Sequence, residues 1–549
     1  MTRHHSLLAA VTTALCGVAS VSLAQPVSPA HVQALLQAAA LQAPAAPSGA
    51  ADARRVVSLT LQDAIGLALE RNLDVAVQRL NPATYEHAVA AIRAAYLPTV
   101  TGTLSRQSAT NPSTQTISGA AAGTGIETGT NQYNVGLTQG IKWGGGSISL
   151  TLNNNKQSTT SLTALFNPAY NANWSAQVTQ PLLRGRGIDS TRQQLVITRL
   201  NQDISDIQLQ ATLINIVSNV RNAYWDLVYA TQSVDVARRS LALAEQLVAD
   251  NKTRVEIGTL APIDVVQAEA QAATQRQNLT TAEGTRRTNE LALKRLIVSG
   301  TQDSNWDVRV DATDRPDFAP TQVDVAAAVT RALESRTDLL QARKNLAVNE
   351  TTLKYLGNQT LPQADLVARY GLVGQGGTQY ITSGSGINRV VTGEIPGNYG
   401  DAFQSLLKRT YPTWSVQVNV SYPIGTSAAD ANIARARIQE QQVQAQLRQI
   451  ELQIATDVTN AATNVQNTAE RVQAAVAARE FSQRSLDAEQ SKFEVGMSTN
   501  YFVVQAQRDL ATAQTNELQA VLAYRRALVE LERLQQTALT TSNITLLGR

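Results

Sequence analysis

Cysteine is the first scarcity: Cys16 stands alone in 549 residues, and histidine occurs four times. Neither a disulfide framework nor a zinc scaffold can be built from that supply. Aromatic residues are few as well, at 5% of the chain. A length that would make about three or four ordinary domains then has little bulk for a thick core, and thin layers of small side chains are expected. Charge is sparse and balanced, Lys+Arg 46 against Asp+Glu 43 for a net +3, with no block of one sign to draw nucleic acid or an acidic partner. Long apolar runs are missing beyond the first residues. The best of them, Ala211 to Ala230, is interrupted by Arg221 and Asp226, so no membrane-spanning helix of about 20 residues is expected.

Catalytic motifs are absent too. There is no nucleophile elbow, no phosphate loop with its lysine and no metal-ligand cluster. The run Gly371-Leu372-Val373-Gly374-Gln375-Gly376-Gly377 loosely resembles a nucleotide fingerprint but opens no helix, and it reads as a surface loop. Asp63 and Asp74 fall on similar faces of one helix and read as solvating it. No enzyme, cofactor or metal site is expected.

What the chain does carry begins with an export signal. Arg3 precedes an apolar stretch from Leu7 to Leu23, and Ser22-Leu23-Ala24 supplies small residues at the cleavage spacing, which marks 1–24 as a signal peptide. Its removal would take Cys16, His4 and His5 and leave His31 and His87. The following segment, 25–57, is rich in Ala, Pro and Gln and reads as flexible.

Three matches recur in the same order along the rest. Ala68-Leu69-Glu70 with Asp74 and Leu97-Pro98 matches Ala332-Leu333-Glu334 with Asp338 and Leu361-Pro362. Trp174-Ser175-Ala176-Gln177-Val178 matches Trp414-Ser415-Val416-Gln417-Val418. Glu256-Ile257-Gly258 matches Glu494-Val495-Gly496. An ordered set of this kind signals two copies of one unit: a first repeat at 58–298, a linker or equatorial segment at 299–323, a second repeat at 324–537 and a tail at 538–549.

Each unit reads as helix, strands, long helix, turn and helix. Leu213, Val220, Leu227, Val234, Leu241 and Val248 recur every seventh residue, as do Val458, Val465, Val472, Leu486 and Phe493, with Arg479 breaking the step. This is a coiled-coil pattern. It predicts helices from about Ser190 to Ile257 and Ala429 to Val495, each roughly 100 Å long. Leu61–Tyr96 and Ile263–Val298 are about half that length, as are Asp324–Gly357 and Tyr501–Gln536. Pairs of half-length helices stacked end to end would match each long one, as in a cylinder wall. Periodicity alone also allows a periplasmic coiled-coil scaffold without a pore.

The strands point to a bilayer. Trp414, Val416, Val418, Val420 and Tyr422 alternate with Thr413, Ser415, Gln417, Asn419 and Ser421, and Ala364, Leu366, Ala368, Tyr370 and Leu372 alternate with Asp365 and Arg369. Weaker copies occur at Val100–Leu104, Tyr133–Leu137, Ile148–Leu152 and Trp174–Val178. One apolar and one polar face with terminal aromatics is the transmembrane β-strand pattern, and Trp143, Trp174 and Trp414 suit an interfacial belt. Pro98, Pro181, Pro362 and Pro423 fall at the helix–strand joins, where a residue without an N–H suits a change of regime. Two strands per unit cannot close a conducting barrel, so several copies of the chain are expected to share one.

The chain resembles the TolC-like outer membrane efflux proteins. The residues that carry the resemblance are Leu59-Thr60-Leu61-Gln62-Asp63-Ala64, Ala95-Tyr96-Leu97-Pro98, Gln180-Pro181-Leu182-Leu183-Arg184-Gly185, and the turns Arg254-Val255-Glu256-Ile257-Gly258 and Lys492-Phe493-Glu494-Val495-Gly496. The resemblance implies a trimeric β-barrel of twelve strands continuous with a long α-helical, coiled-coil periplasmic barrel. It also implies an outer-membrane location reaching into the periplasm, and export of small molecules or secreted proteins received from a periplasmic adaptor and an inner-membrane pump.

Two features depart from that pattern. A glycine-rich insertion, Gly119 to Thr130, is followed by an extra hairpin near Tyr133–Asn155, which either lengthens an extracellular loop or adds strands. At the tunnel tip, family members narrow the entrance with aspartates, whereas the matching positions here are Phe502 and Gln505, with Asp264 at the equivalent place in the first unit. Two roles are open to Phe502, packing across a constriction or serving as a buried coiled-coil knob. The turns Gly258, Thr259, Leu260, Ala261 and Gly496, Met497, Ser498, Thr499 are the expected adaptor contacts.

Overall fold

The computed structural model describes residues 55–112, 125–161, 163–315, 318–384, 390–425 and 427–541. The expected signal peptide, nearly all of 25–57, part of the glycine-rich insertion and the end of the tail lie outside these residues. From Val56 onward the described residues form one compact unit.

The first half runs β1 (Val56–Leu59), α1 (Leu61–Arg71), α2 (Leu73–Ala94), β2 (Thr99–Pro112), β3 (Gly125–Gly140), β4 (Ser147–Thr159), β5 (Phe166–Pro181), α3 (Ser190–Glu256) and α4 (Pro262–Ile297). After β6 (Arg309–Ala312), the second half runs α5 (Val325–Ser335), α6 (Thr337–Gln359), β7 (Gln363–Ser383), β8 (Val390–Ile395), α7 (Tyr399–Leu407), β9 (Tyr411–Ser421), α8 (Ala428–Glu494) and α9 (Asn500–Leu534). A last turn, α10 (Ala538–Thr541), follows. Helices of the two halves correspond in length: α3 and α8 each hold 67 residues, α1 and α5 each hold 11, and α4 and α9 hold 36 and 35.

Local chemistry explains the boundaries. Thr60 and Asp63 form a capping box at the start of α1, so Asp63 satisfies a helix end and does more than solvate a face. Ser427 and Asp430 do the same for α8, and the Asp189 side chain caps α3. The single helix expected from Leu61 to Tyr96 is in fact two. Asn72 adopts extended dihedrals and its side chain accepts from the Asp74 and Val75 N–H groups, which starts α2 afresh. The helix expected over Asp324–Gly357 is likewise split, by Arg336 in extended conformation between α5 and α6.

The core is a set of thin seams between helices. Leu213, Val220, Leu227 and Val234 are all buried in α3 at their seven-residue step. Beyond them the buried stripe moves to Ala244 and Leu247, leaving Leu241 and Val248 only half-buried. A straight helix drifts by about 20° per heptad, which accounts for the slip. In α8 Val458, Val465, Val472, Leu486 and Phe493 are buried, while Arg479 leaves the seam to pair with Glu517 at 2.7 Å.

The expected flexible and linker segments are partly ordered. β1 pairs in parallel with β6, so Val56 and Val57 belong to a two-stranded sheet completed by residues of the linker. Ala538 and Leu539 pack into the first-half core, so the expected tail begins as a docked turn. This small sheet and turn form the waist of the chain, and Val310 of β6 donates its N–H at 3.3 Å to Glu290, part of a buried charge cluster on α4. Glu290 sits 3.0 Å from Lys294 Nζ and 3.4 Å from Arg286, and Lys294 also donates to the Trp306 carbonyl.

The remaining strands form one seven-stranded antiparallel sheet in the order β2-β3-β4-β5-β7, with β9 and β8 both paired to β7. β9 covers Gln363 to Val373 of β7, and β8 covers Gln379 to Ser383. The first half therefore contributes four long strands where two per unit were expected. The glycine run 371–377 is not a loop but lies inside β7. Its glycines let α7 lie directly on the strand: a side chain at Gly376 would fall 2.7 Å from the Ala402 backbone nitrogen, and one at Gly374 would strike the Ala402 carbonyl.

Candidate channel wall and helical tips

Residues paired across an antiparallel ladder point to the same face, so the register assigns every side chain of the sheet to one of two surfaces. Val416, Val418 and Trp414 of β9 stand opposite Ala368, Leu366 and Tyr370 of β7. Those residues stand opposite Val178, Gln180 and Ala176 of β5, and Trp174 stands opposite Leu372. The same face continues through Ile148, Leu150 and Leu152 of β4, through Val135 and Leu137 of β3, and ends at Val100 and Leu104 of β2. It is an apolar band six strands wide, and on β9 it is open, with Trp414 76% exposed.

The opposite face carries Thr101, Asn134, Asn153, Ser175, Arg369 and Gln417. Its short polar side chains bond across strands, as Thr151 does to Ser175 at 2.8 Å and Ser105 to Gln132 at 3.3 Å. At one end of the apolar band Trp174 meets Tyr370 edge-on at 6.2 Å. Near that end α7 rests on the apolar face, burying Ala402 and Leu406 against Ala172 while Phe403 and Leu407 stay exposed. At the other end Trp143, 88% exposed, lies in the β3–β4 turn.

That second end is the helix–sheet junction. Pro98 and Pro362 precede β2 and β7, Pro181 ends β5, and Pro423 follows β9. Gly185 turns the chain with φ 85°, and Arg192 donates to the Gly185 carbonyl at 2.6 Å while pairing with Asp189 at 2.9 Å.

At the far end of the helices, the turns after α3 and α8 form a double tip. Gly258 and Gly496 have φ of 75° and 80° and open space around them, so backbone conformation alone requires glycine. Each turn closes in the same way: Thr259 N–H donates to the Arg254 carbonyl at 2.9 Å, and Met497 N–H to the Lys492 carbonyl at 2.8 Å. Two buried amides join the turns. Asn251 donates to Asn500 at 3.0 Å, and both amides reach the Asp264 carbonyl, at 3.4 and 3.3 Å. Arg254 stacks over Phe493 with its guanidinium carbon 4.4 Å from the ring centre. Glu489 accepts from Lys492 at 2.6 Å and Ser498 at 2.8 Å, and these two hydrogen bonds, that from Lys492 first, hold its carboxyl below the usual range.

Phe502 is 54% exposed, with its ring edge-on to Tyr501, while its neighbours Val503 and Val504 fill the seam beside Leu247 and Phe493. Phe502 is thus not a buried knob within the chain. Gln505 is also exposed and donates to Asp509 at 2.9 Å.

The chain has known relatives. The sequence profile of the family described as "Outer membrane efflux protein" matches residues 145–298 and 328–535. The chain belongs to the outer membrane efflux protein family. Among solved structures it is similar to the CmeC outer membrane channel of Campylobacter jejuni, at 14% identity over 87% of this chain and 86% of that one, with a TM-score of 0.61. It is similar to VceC of Vibrio cholerae, at 14% identity over 87% and 96% with a TM-score of 0.60. The open-state MtrE channel of Neisseria gonorrhoeae matches at 18% identity over 87% and 88%, with a TM-score of 0.58. No curated protein matches.

In this efflux protein the structure brings both expected turns and Asp264 to one tip, through the backbone of Asp264, and leaves Phe502 and Gln505 on its open side. Sequence reasoning missed Asn251 and Asn500, although a polar residue buried in a coiled-coil seam is a known register device. It also missed the charges spaced by four at Arg286, Glu290 and Lys294. Among the described residues no group of His, Cys, Asp or Glu could hold a metal ion, and no helix is long and apolar enough to cross a membrane.

Proposed function

We propose that this protein is the outer-membrane channel of an export system. Three copies form a β-barrel in the membrane and a helical tunnel across the periplasm, and small molecules or secreted proteins pass outward along it. A periplasmic adaptor docks at the tips and an inner-membrane pump drives transport, the channel itself doing no chemistry. The observation that carries this reading is the two-faced sheet. An apolar band rimmed by aromatics suits lipid, a face of Thr, Ser, Asn and Gln suits a watery lumen, and a family of efflux proteins shares the sequence.

Within this reading the turns Gly258–Ala261 and Gly496–Thr499 present the adaptor surface. Phe502, Gln505 and Asp264 line the tunnel entrance, and the four junction prolines mark the passage from lipid to periplasm. Fractionation and conductance test it together. The protein is expected in the outer membrane after a high-salt wash, as a heat-modifiable trimer that opens ion-conducting pores in planar bilayers. Release by salt with no conductance would leave a periplasmic scaffold and overturn the proposal.

A further inference from the structure

The hairpin β3–β4 has no counterpart in the second half, where β7 leads back through β8 and α7 to β9. Two fates are open to such an insertion: it can extend an extracellular loop, or it can be part of the wall. Its turn decides between them. Residues 141–146 lie at the helix–sheet junction, where Gln180 Nε2 donates to the Gly144 carbonyl at 2.9 Å and a side chain at Gly140 would fall 2.9 Å from the Ala95 carbonyl. β3 and β4 are paired from that level to the opposite end of the sheet, Gly140 to Thr128 against Ser147 to Thr159. An extracellular extension would not turn around beside the helices.

The face assignments agree. Val135 of β3 stands opposite Leu152 of β4 in the same apolar band as Trp174 and Trp414, while Asn134 and Asn153 stand opposite one another on the polar face. The hairpin repeats the lipid-and-water alternation of its neighbours.

We propose that each chain sends six strands through the membrane, so that a ring of three copies closes on eighteen. This rests on the trimeric channel reading above. The six strands β2, β3, β4, β5, β7 and β9 run alternately away from and back to the junction. Because six is even, β2 at one edge and β9 at the other are antiparallel, with Thr99 of β2 and Ser421 of β9 both at the junction end. Each has one ladder partner within the chain, and all eleven residues of β9 are exposed. The occupant of these edges is a second copy, β2 of one against β9 of the next. With strands about 4.8 Å apart and tilted about 40°, eighteen make a barrel about 36 Å across, against about 24 Å for twelve. The extra hairpin is therefore a device for a wider exit, suited to bulky cargo, with selection left to the helical end.

Cysteine labelling in intact outer membranes tests this on the full-length protein, since Cys16 is the one native cysteine and a Cys16→Ser background removes it. A charged, membrane-impermeant maleimide should label Asn134→Cys in β3 and Asn153→Cys in β4 at least about tenfold faster than Val135→Cys and Leu152→Cys, which face lipid. Gln417→Cys and Val418→Cys in β9 supply the reference alternation. If β9 alternates while both positions of each hairpin pair label alike, the hairpin lies outside the wall and this inference fails with the channel reading intact. If β9 itself shows no alternation, the channel reading fails and takes the inference with it.

Discussion

At the residue scale, the waist is held by groups whose removal would leave something buried and unsatisfied. The Tyr224 hydroxyl, wholly buried, lies 3.0 Å from the Leu59 carbonyl and 2.9 Å from the Asp314 carboxylate, and it accepts from the Asp314 N–H at 3.1 Å. Burial pushes its pKa up to about 12. A phenol whose folded pKa exceeds its unfolded value of about 10 adds stability that is intact below pH 10 and is lost as pH rises towards 12. Tyr224→Phe is expected to cost about 1–3 kcal/mol at neutral pH. It should also narrow the gap to wild type between about pH 10 and 12, which denaturant titrations at pH 8 and 11 would show. A gap independent of pH would mean the ring alone matters. Glu290 neutralises two buried cations, so Glu290→Gln should destabilise by about 3–5 kcal/mol, read as a lower unfolding midpoint. At the tip, Phe502→Ala should raise single-channel conductance, because the exposed ring is free to pack across the entrance; unchanged conductance would remove Phe502 from the gate.

At the scale of elements, what the sequence made legible is what its periodicity encodes. The seven-residue step located α3 and α8 to within a residue or two, strict alternation located β9, and a looser alternation located the first half of β7. What escaped was set by contacts between distant segments. Asn72 divides α1 from α2 through a cap that resembles any other surface asparagine in a helical run. The glycines of β7 read as a loop, because their purpose, to seat α7, appears only when residues 374 and 402 come together. β3 and β4, diluted by Gly and Asn, were visible as strand fragments, but not as a traverse of the full sheet. The tip turns were legible from glycine, whereas the Asn251–Asn500 bond that joins them needs the fold. Since the glycines are fixed by φ, the sharper probe of docking is a neighbouring side chain. Thr499→Arg alters an exposed position with no side-chain cap bond. It should abolish export while the heat-modifiable trimer remains, and loss of the trimer would show the turn to be structural only.

At the scale of the whole molecule, the chain is left with two surfaces it cannot satisfy alone. The sheet ends in two open edges, and its apolar face continues on β9 through Trp414, Val416, Val418 and Val420, all exposed. Water could solvate the edges but not an apolar band of that extent, and lipid could cover the band but not unpaired backbone. The proposed closure with further copies inside a bilayer meets both demands. The helices add a constraint of their own. Arg526 reaches across from α9 to Asp226 of α3, donating at 3.0 Å, and Arg221 pairs with Glu532, so the two halves of one chain are tied at the waist. In the proposed ring a copy would therefore enter as one wall segment and not as two hinged halves. Detergent-extracted protein should then have the light-scattering mass of three chains and fall to one chain on boiling, with no stable dimer between, because two segments leave both edges open. A stable, monodisperse single chain in detergent-free buffer would contradict the closure argument and the barrel built on it.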